Sequence, residues 1–506
     1  MSTTQEMKTV GIDDMALYIP KIYFDIKDLA EARDIEYAKL NKGLGLSKMA
    51  IIDAHEDTAT MAANAIAELI EKNNIDPNTI GRIYMGTESA LDGAKPTATY
   101  TLEMLRQKYA PTYGEDCFLH CDVIDMTFAC IGAVDALQNT LDWVSGDVNR
   151  IGIVVSSDNA KYELNSTGEY TQGAGAVAML VKQNPRLIAI GQTWGVATRG
   201  VHDFYKPLRR ASKTDIINEV LDLVGAKNGS VQKYIDKLHE SLEVHGILDA
   251  NEQTLILHKE TPVFDGQYSN ECYQNRITEA FEHFKKRAGG NDEESFVNTW
   301  KRLIFHLPYA FHGKRMFSEV YTKELSRIGQ LSAILEANGI EVPNRADFED
   351  DKIYNKAVGY YYKSISKTPE YRAFVKEKIA KGQDVSGEVG NMYAGSVFLS
   401  LIGTFEGDYL EDNDLAGEKF GFFAYGSGSK SKVFEGTVQP KWKEVAAKFN
   451  ITDKLNNRQP VDYATYQGLH TGNLEESVAT TKNEFALASI GKEGVTEGAR
   501  YYKYEL

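Results

Sequence analysis

Two segments near the start of the chain carry apolar residues at the spacing of an amphipathic helix. They are residues 55–72, HEDTATMAANAIAELIEK, and residues 131–144, IGAVDALQNTLDWV. Apolar positions that recur every three or four residues fall on one face of a helix, and that face packs against a core. In the second segment this face is formed by Val134, Leu137, Leu141 and Val144. The pattern therefore predicts a helix in each segment.

Short apolar runs alternate with these helical segments. Residues 82–85, 118–124 and 150–156 are predicted strands, because short apolar runs bounded by turn residues are typical of buried strands. Similar runs return later in the chain, and they cover residues 302–306, 421–425 and 431–433. Strands that alternate with helices indicate an α/β fold with a mostly parallel sheet.

The middle of the chain interrupts this alternation. Residues 208–260 are charged and helical in pattern, and they contain no group with an evident chemical role. The length of the chain suits two or three domains. We therefore predict an N-terminal half over residues 1–200, a helical insertion over residues 208–260 and a C-terminal half over residues 261–506.

Composition and charge restrict the classes of partner. The 506 residues include 42% hydrophobic and 25% charged residues, with a formal net charge of −16, which is the composition of an ordinary globular protein. A nucleic-acid partner is not expected, because binding to a phosphate backbone requires concentrated Lys and Arg. No apolar run is long enough to predict a membrane span. The first residues lack the pattern of a signal peptide, and the chain is predicted to be cytoplasmic.

Four cysteines are too few for a disulfide framework in a chain of this length. The segment CFLHC brings Cys117, His120 and Cys121 close together in the sequence. A metal site needs further ligands at a workable distance, and the sequence has no second CxxC and no HxxxH. The segment is therefore interpreted as part of a buried strand, and neither a metal nor a cofactor is predicted.

Cys130 is the cysteine whose position suggests chemistry. It lies between a predicted strand and a predicted helix, in MTFACIGAVDAL. Free N–H groups and the helix dipole stabilise a thiolate near a helix N-terminus, and a thiolate there is a competent acyl acceptor. A free cysteine is also a common small residue of the core, so the local sequence leaves both interpretations open.

Glu88 and His306 each follow a predicted strand. Ligands bind at the carboxyl ends of strands in α/β sheets, and a carboxylate or an imidazole there is a candidate acid or base. Pro308 ends the strand pattern close to His306. The local sequence also fits a solvated loop carboxylate at position 88 and a core histidine at position 306.

Ten short segments, taken together and in this order, resemble the hydroxymethylglutaryl-CoA synthases. They are GLGLSKM (43–49), GTESALD (86–92), FAC (128–130), SDNAKY (157–162), YTQGAGAVAML (170–180), HDFYKP (202–207), PVFDGQYSNECY (262–273), FHLPY (305–309), GNMYAGS (390–396) and YGSGS (425–429). The match runs from about residue 10 to about residue 440 and breaks across the predicted insertion.

The resemblance implies a fold and a set of roles. The fold is of the thiolase type, in which two similar α/β halves stack as five αβαβα layers, usually in a homodimer. Cys130 matches the residue that takes the acetyl group from acetyl-CoA, and Glu88 matches the residue that removes a proton from the acetyl methyl group. His306 matches the residue that polarises the carbonyl of acetoacetyl-CoA. Further matches at or near the CoA thioester substrates are Asp158, Thr171, Asp203, Ser269, Asn391 and Ser427.

Two departures from the family pattern concern the substrate site. The family commonly has Tyr directly after the nucleophile, where this chain has Ile131. After the histidine the family usually has HxPF or HxPY, one further residue, and a Lys that meets the CoA phosphates. Here the run is HLPYAFHGKRM, and an ungapped count puts Phe311 at the lysine position. A three-residue insertion would restore the lysine as Lys314, and Arg315 is a second candidate.

Other functions remain open beside a hydroxymethylglutaryl-CoA synthase of the mevalonate pathway. A relative that performs β-branching on a chain bound to an acyl carrier protein would fit the altered lysine region, but the acidic net charge shows no basic patch for an acidic carrier. A ketoacyl synthase-type enzyme would use Cys130, His306 and Asn391, but its chemistry does not need Glu88. An inactive scaffold would not be expected to retain the Glu, Cys, His and Asn together.

Overall fold

The chain forms two units in a computed structural model that describes residues 9–225, 254–289 and 294–505, together with residues 233 and 236. Met1–Asp203 with Gly266–Leu506 make up the first unit, and Phe204–Asp265 make up the second. The first unit carries the large sheet and the residues singled out by the sequence. No helix within the described residues is both long enough and apolar enough to cross a membrane.

The strands of the described residues are as follows in chain order. They are β1 (Val10–Tyr18), β2 (Ile22–Asp25), β3 (Lys48–Ile51), β4 (Ile80–Gly86), β5 (Asp122–Met126), β6 (Ile151–Ala160), β7 (Gly173–Gln183), β8 (Ile188–Thr198), β9 (Phe204–Tyr205), β10 (Leu208–Ser212), β11 (Thr254–His258), β12 (Val263–Phe264), β13 (Arg302–Phe305), β14 (Lys419–Gly426), β15 (Lys430–Val438), β16 (Gln459–Pro460), β17 (Glu484–Ile490) and β18 (Arg500–Glu505).

The helices are numbered in the same way. They are α1 (Ile26–Ala32), α2 (Tyr37–Leu44), α3 (Thr58–Asn73), α4 (Thr97–Tyr113), α5 (Gly132–Ser145), α6 (Lys213–Leu223), α7 (Gly266–Ala288), α8 (Phe296–Thr299), α9 (His312–Arg327), α10 (Leu331–Asn338), α11 (Asp351–Ile365), α12 (Pro369–Lys378), α13 (Ala380–Val389), α14 (Ser396–Leu410), α15 (Trp442–Ala446), α16 (Ile451–Asn456) and α17 (Tyr463–Thr471). The two helices predicted from apolar spacing are α3 and α5, so these predictions are confirmed.

A nine-stranded sheet runs through the first unit in the order β13-β14-β15-β8-β1-β7-β6-β4-β5. It consists of two portions that meet where β1 pairs with β8, through Gly11 with Ala189 and Ile12 with Ile188. A Cβ atom at Gly11 would lie 2.1 Å from the carbonyl oxygen of Ile188. Only glycine allows the two strands to approach this closely.

The sheet is mixed, so the prediction of a mostly parallel sheet is wrong. Parallel pairing joins β4 to β5, β4 to β6, and β13 to β14, whereas the other neighbours are antiparallel. Only residues 427–429 separate β14 from β15, which leaves no room for a crossover helix. Short connections of this kind join antiparallel neighbours.

Helices cover the sheet in the layered order that the resemblance implied. One buried core contains α3 and α4 with the β4–β6 side of the sheet. A central core contains α5 and α14 with residues from both portions of the sheet. A third core contains α7 and α9 with β13, β14 and β15. The order helix, sheet, helix, sheet, helix gives five layers, and the predicted fold class is confirmed.

The second unit contains strands as well as a helix. Strand β10 pairs antiparallel with β11, and β9 pairs with β12. Helix α6 begins after Ser212, whose Oγ accepts a hydrogen bond from the N–H of Asp215. The expected helical insertion therefore has strands at both ends in the described residues. The rest of its predicted helical stretch, between residues 226 and 253, lies outside the described residues apart from residues 233 and 236.

The CFLHC segment forms turns, so its interpretation as a strand is wrong. Phe118 has φ +65°, which a strand does not accommodate. The N–H of Cys121 donates to the carbonyl of Phe118, and the N–H of Cys117 donates to that of Gly114, as in consecutive turns. The strand begins later, at Asp122. Within the described residues, no three His, Cys, Asp or Glu side chains are grouped to hold a metal.

The chain after residue 457 packs onto the first unit. Strand β16 pairs with β2, and β17 pairs with β18 in a hairpin that contacts α3 and α4. Between them, α17 begins with Asp462, whose carboxylate accepts the N–H of Thr465. The ring of Tyr466 on this helix stacks on Phe24 of β2 at 4.7 Å. The polar C-terminal stretch is therefore an integral part of this unit.

Candidate active site

Three strand ends supply the residues that the sequence marked for catalysis. Glu88 follows β4, Cys130 follows β5 and precedes α5, and His306 follows β13. Strands β4 and β5 are parallel, with Gly86 opposite Met126, so their carboxyl ends meet at the same edge. The structure therefore places Glu88 and Cys130 side by side.

The Cys130 thiol contacts the Glu88 carboxylate directly. The distance from Cys130 Sγ to Glu88 Oε1 is 3.1 Å, and Cys130 is 8% exposed. The preceding residue, Ala129, has φ +40° and closes a tight turn before α5. A left-handed backbone is unusual for a residue with a Cβ atom, and such conformations concentrate at functional sites. A thiolate and a carboxylate at this distance would repel each other, so the pair holds a proton between them.

Asp158 ties the Glu88 loop to a distant segment of the chain. Its Oδ1 atom accepts hydrogen bonds from the N–H of Glu88 and from Thr87 Oγ1, both at 2.9 Å. Its Oδ2 atom accepts the N–H of Ala394 at 3.0 Å. Asp158 is fully buried at the end of β6. One carboxylate thus fixes the position of Glu88 relative to the turn that follows Asn391.

Asn391 and Thr171 meet through their backbones beside this turn. The N–H of Asn391 donates to the carbonyl of Thr171 at 3.0 Å. The side-chain oxygen of Asn391 accepts the N–H of Tyr393 at 2.8 Å and the hydroxyl of Ser396 at 2.9 Å. Tyr393 has φ +41°. These contacts hold two predicted substrate-site residues, Thr171 and Asn391, next to each other.

Two tyrosines that the sequence did not single out lie at this centre. Tyr162 is hydrogen-bonded to Thr171 and Tyr393. Burial raises the pKa of Tyr162, and the electrostatic effect of the Cys130–Glu88 pair raises it further. Burial and the neighbouring Tyr162 and Glu88 likewise raise the pKa of Tyr393. Both phenols therefore stay protonated next to the Cys130–Glu88 pair. The segments SDNAKY and GNMYAGS contain them, and this was the available signal.

His306 is buried at the end of β13 and is held through its backbone. Its N–H donates to the carbonyl of Phe423, and its own carbonyl accepts the hydroxyl of Tyr273, both at 2.9 Å. Burial lowers the pKa of His306 to about 3, so the imidazole is neutral at physiological pH. Within the described residues its Nδ1 atom has no hydrogen-bond partner.

Tyr273 connects His306 to the Cys130 side of the site. Burial raises the pKa of Tyr273, and the charges of Tyr309 and Cys130 add to this effect. The rings of Tyr273 and His306 are 6.5 Å apart, and the ring of His312 meets Tyr273 edge-on at 4.2 Å. Neither Tyr273 nor His312 was predicted from the sequence to lie at the site. They surround His306 with aromatic rings that exclude water.

The end of β14 connects Asp203 and Ser427 to the turn that carries Cys130. The Asp203 carboxylate accepts the hydroxyl of Tyr425 at 2.6 Å and the N–H of Gly428 at 2.7 Å. A Cβ atom at Gly426 would lie 2.9 Å from the nitrogen of Ile131, so the strand end touches this turn directly. Ser427 follows Gly426 immediately and is hydrogen-bonded to Tyr425.

The last two predicted residues are less closely connected to this centre. Ser269 is half-buried on the first turn of α7, one turn before Tyr273. The Lys314 ammonium lies 3.0 Å from the centre of the Phe311 ring. The pKa of Lys314 is lowered to about 8, mainly by burial, with Asp384 opposing the shift and the nearby Arg315 adding to it. Among the described residues, Lys314 takes no part in the hydrogen bonds given above for the other predicted site residues.

Phe311 is a packed residue, whichever alignment applies to it. A Cβ atom at Gly45 would lie 2.5 Å from the Phe311 ring, so the ring lies against that turn. Gly45 has φ +79° and ends α2. An ungapped alignment with the family places Phe311 at the position of the lysine, and an aromatic ring stands there instead. The cations that follow it in the sequence are Lys314 and the exposed Arg315.

Two family models match the chain, one in each half. Residues 6–185 match "Hydroxymethylglutaryl-coenzyme A synthase N terminal", and residues 256–502 match "Hydroxymethylglutaryl-coenzyme A synthase C terminal". The intervening residues include most of the predicted insertion.

Curated proteins and solved structures with the same description are similar over most of the chain. A hydroxymethylglutaryl-CoA synthase of Haloferax volcanii is 28% identical over 92% of this chain and 92% of its own length. One of Enterococcus faecalis is 26% identical over 95% and 97%. A structure of MvaS in complex with 3-hydroxy-3-methylglutaryl coenzyme A has a TM-score of 0.74 at 26% identity and covers 99% of this chain and 100% of that one. A curacin biosynthetic HMG synthase, at 19% identity and a TM-score of 0.68, shares the fold.

Proposed function

The chain belongs to the hydroxymethylglutaryl-CoA synthase family, and from this premise we propose that it condenses acetyl-CoA with acetoacetyl-CoA. The products are 3-hydroxy-3-methylglutaryl-CoA and free CoA. The observation that supports this most directly is the 3.1 Å contact between Cys130 Sγ and Glu88 Oε1. The thiol paired with a carboxylate and the buried neutral imidazole of His306 provide a nucleophile, a base and a hydrogen-bond donor for this condensation.

Acetylation of Cys130 is the first step. The sulfur of Cys130 attacks the carbonyl carbon of acetyl-CoA, the bond from that carbon to the sulfur of CoA breaks, and the proton lost by the Cys130 thiol ends on the departing CoA thiolate, which leaves as free CoA. The covalent thioester then holds the acetyl group in place. A second reactant therefore meets it at a high effective concentration. The N–H groups near Cys130 and Ser427 are suitable donors to the oxygen of the tetrahedral intermediate.

Condensation follows when Glu88 removes a proton from the methyl group of the acetyl thioester. The resulting carbanion attacks the ketone carbon of acetoacetyl-CoA. The neutral His306 donates a hydrogen bond to the ketone oxygen and then passes this proton to it, so that the oxygen becomes the tertiary hydroxyl of the product, and the proton that Glu88 took from the methyl group balances the one that His306 gives up. Tyr162 and Tyr393 hold protonated hydroxyls next to the reacting pair. Water then cleaves the thioester bond to Cys130, which regenerates the thiol and releases the new carboxylate.

The proposal extends to the biological setting. As an acyltransferase of this kind, the protein would act in the mevalonate pathway of isoprenoid precursor synthesis and would need no cofactor besides its substrates. We propose a cytoplasmic homodimer, with the CoA phosphates meeting Lys314 or Arg315. The half-buried Lys314 carries its charge below a pKa of about 8, which suits a phosphate partner at neutral pH.

The test of the proposal is thiol release by the purified protein with both thioesters present, with the product identified by mass spectrometry. Formation of hydroxymethylglutaryl-CoA is the expected result. Acetylation of the protein without any condensation would contradict the proposed acceptor. The same assay would then be repeated with a β-ketoacyl chain bound to an acyl carrier protein, which is the acceptor of the β-branching alternative.

Substitution of His306 by Gln is expected to separate the two half-reactions. The neutral ring has no charged partner among the residues that the structure describes. In the proposed mechanism it serves the acceptor ketone, so acetylation from labelled acetyl-CoA should remain within about threefold of wild type. Condensation should fall by about 10²–10³-fold, the usual size of a lost acid–base or oxyanion contact. The exposed His120, changed in the same way, is the matched control. Equal losses in both half-reactions would remove His306 from this role.

A further inference from the structure

We propose that helix α17 positions the active-site loop that carries Tyr162 and Thr171, and that Tyr466 and His470 act as its positioning residues. This inference rests on the proposed function, because it assigns two residues to support of the same site. Neither residue lies in a segment that the sequence analysis associated with catalysis. Both lie in the C-terminal stretch, about 300 residues beyond the loop they contact, as the sequence separations of 294 and 308 show.

A chain of hydrogen bonds leads from the loop to the helix. The N–H of Tyr162 donates to Gln172 Oε1 at 2.7 Å. Gln172 Nε2 donates to the hydroxyl oxygen of Tyr466 at 2.9 Å. The hydroxyl of Tyr466 donates to Glu169 Oε1 at 2.9 Å. Gln172, Tyr466 and Glu169 are all buried, so water does not compete for these bonds.

One ion pair fixes which group donates and which accepts in the hydrogen bonds that join Glu169, Tyr466 and Gln172. Arg33 donates to both oxygens of Glu169, at 2.8 and 2.7 Å. Glu169 is therefore an ionised carboxylate, which only accepts hydrogen bonds. The Tyr466 hydroxyl must donate to it and is left to accept from Gln172 Nε2. This in turn orients the Gln172 amide so that its oxygen faces Tyr162.

His470 holds the same loop from the next turn of α17. Its Nε2 atom lies 2.9 Å from the carbonyl oxygen of Tyr162 and 3.2 Å from Gln172 Oε1. Both of these atoms are acceptors, so Nε2 carries a hydrogen. The backbone of Tyr162 is thus held on both sides, through its N–H by Gln172 and through its carbonyl by His470.

The held loop reaches the reacting groups through two of its residues. The Tyr162 phenol is close enough to Cys130 and Glu88 for them to raise its pKa, and it is hydrogen-bonded to the Thr171 side chain. The Thr171 carbonyl accepts the N–H of Asn391 at 3.0 Å. A shift of the loop would therefore move Tyr162 and Asn391 relative to the acetyl thioester on Cys130. Catalysis depends on such positions to within fractions of an ångström.

The experiment compares Tyr466→Phe, His470→Leu and His470→Gln in the full-length protein. Phe removes the hydroxyl that accepts from Gln172, and Leu removes the donor to Tyr162, whereas Gln keeps a donor at a similar reach. We expect kcat for condensation to fall about tenfold for Tyr466→Phe and His470→Leu, which corresponds to one well-placed hydrogen bond. We expect His470→Gln to stay within about threefold of wild type.

Tyr463→Phe is the matched control, because Tyr463 lies on the same helix and its hydroxyl meets Arg33 rather than Gln172. All four variants are compared by thermal melting, so that any loss of folded protein is corrected. A folded His470→Leu variant with wild-type kcat would overturn the inference. So would a Tyr463→Phe variant that loses as much activity as Tyr466→Phe, because the effect would then belong to the helix as a whole.

A second readout does not depend on the reaction. Amide hydrogen exchange across residues 162–172 is measured in the substrate-free protein, where Tyr466→Phe and His470→Leu should accelerate exchange at Tyr162 and His470→Gln should not. If wild type does not condense the thioesters, the proposed function fails while this readout still tests the positioning. Unchanged exchange in both variants would overturn the positioning role, whatever the activity.

Discussion

Replacement of Cys130 by Ala is expected to remove the acetyl-enzyme and to lower kcat for thiol release by at least about 10⁴-fold, as for other covalent nucleophiles. Cys130 is the thiol that lies 3.1 Å from a carboxylate, and without it the acetyl group has no covalent attachment. The measurement is the incorporation of labelled acetyl-CoA, followed by mass spectrometry of the cysteine peptides.

Cys121→Ala is the matched control for this substitution. Cys121 lies in the turns before β5, where burial raises the pKa of its thiol to about 12, so it stays protonated and unreactive. This variant should acetylate and condense as wild type does. A label found on Cys117, Cys121 or Cys272, or a Cys130→Ala variant that still becomes acetylated, would disprove the assignment.

Substitution of Glu88 by Gln is expected to stop the reaction after acetylation. The amide keeps the size of the side chain and can still hydrogen-bond to sulfur, but it cannot accept a proton from the acetyl methyl group. Condensation should fall by about 10³-fold, within the usual range for a general base. The acetyl-enzyme should accumulate, and its methyl protons should no longer exchange with solvent deuterium.

The control for Glu88 is an exposed carboxylate of the same kind. Glu115 pairs with Arg106 at the surface, and Glu115→Gln should leave both half-reactions unchanged. A Glu88→Gln variant that condenses at the wild-type rate would show that another group removes the methyl proton. Loss of acetylation together with condensation would instead show that Glu88 is already needed for the acetylation of Cys130.

The sequence predicted those parts of the site that depend on local pattern. Helices α3 and α5 follow from apolar spacing, and Glu88, Cys130 and His306 could be placed at strand ends because short apolar runs stop just before them. The α/β fold class follows from the same alternation and from the family resemblance. These helices and strand ends depend on the spacing of apolar residues within about twenty residues of each position, and such local spacing is visible in the sequence.

The features that were missed depend on contacts between distant residues. Tyr162 and Tyr393 carry no local sign that they converge beside Cys130, and each looks like an ordinary core aromatic. The prediction of a strand for CFLHC was wrong because Phe118 adopts a left-handed backbone conformation. Such a conformation is usually signalled by Gly or Asn, and a hydrophobic residue gives no indication of it in the sequence. The mixed sheet was missed because strand direction depends on the length of each connection, and the boundaries of the strands were uncertain.

The hydrogen bond between Asp158 and Ala394 has a consequence for the newly made chain. Its partners are 236 residues apart, so a ribosome must extend the chain far beyond Glu88, Cys130 and Asp158 before Asp158 acquires its last donor. A nascent chain that ends before Ala394 contains Glu88, Cys130 and Asp158 but lacks the N–H that binds Asp158 Oδ2 in the full chain. The backbone around Glu88 therefore acquires its full set of contacts only after most of the chain has been made.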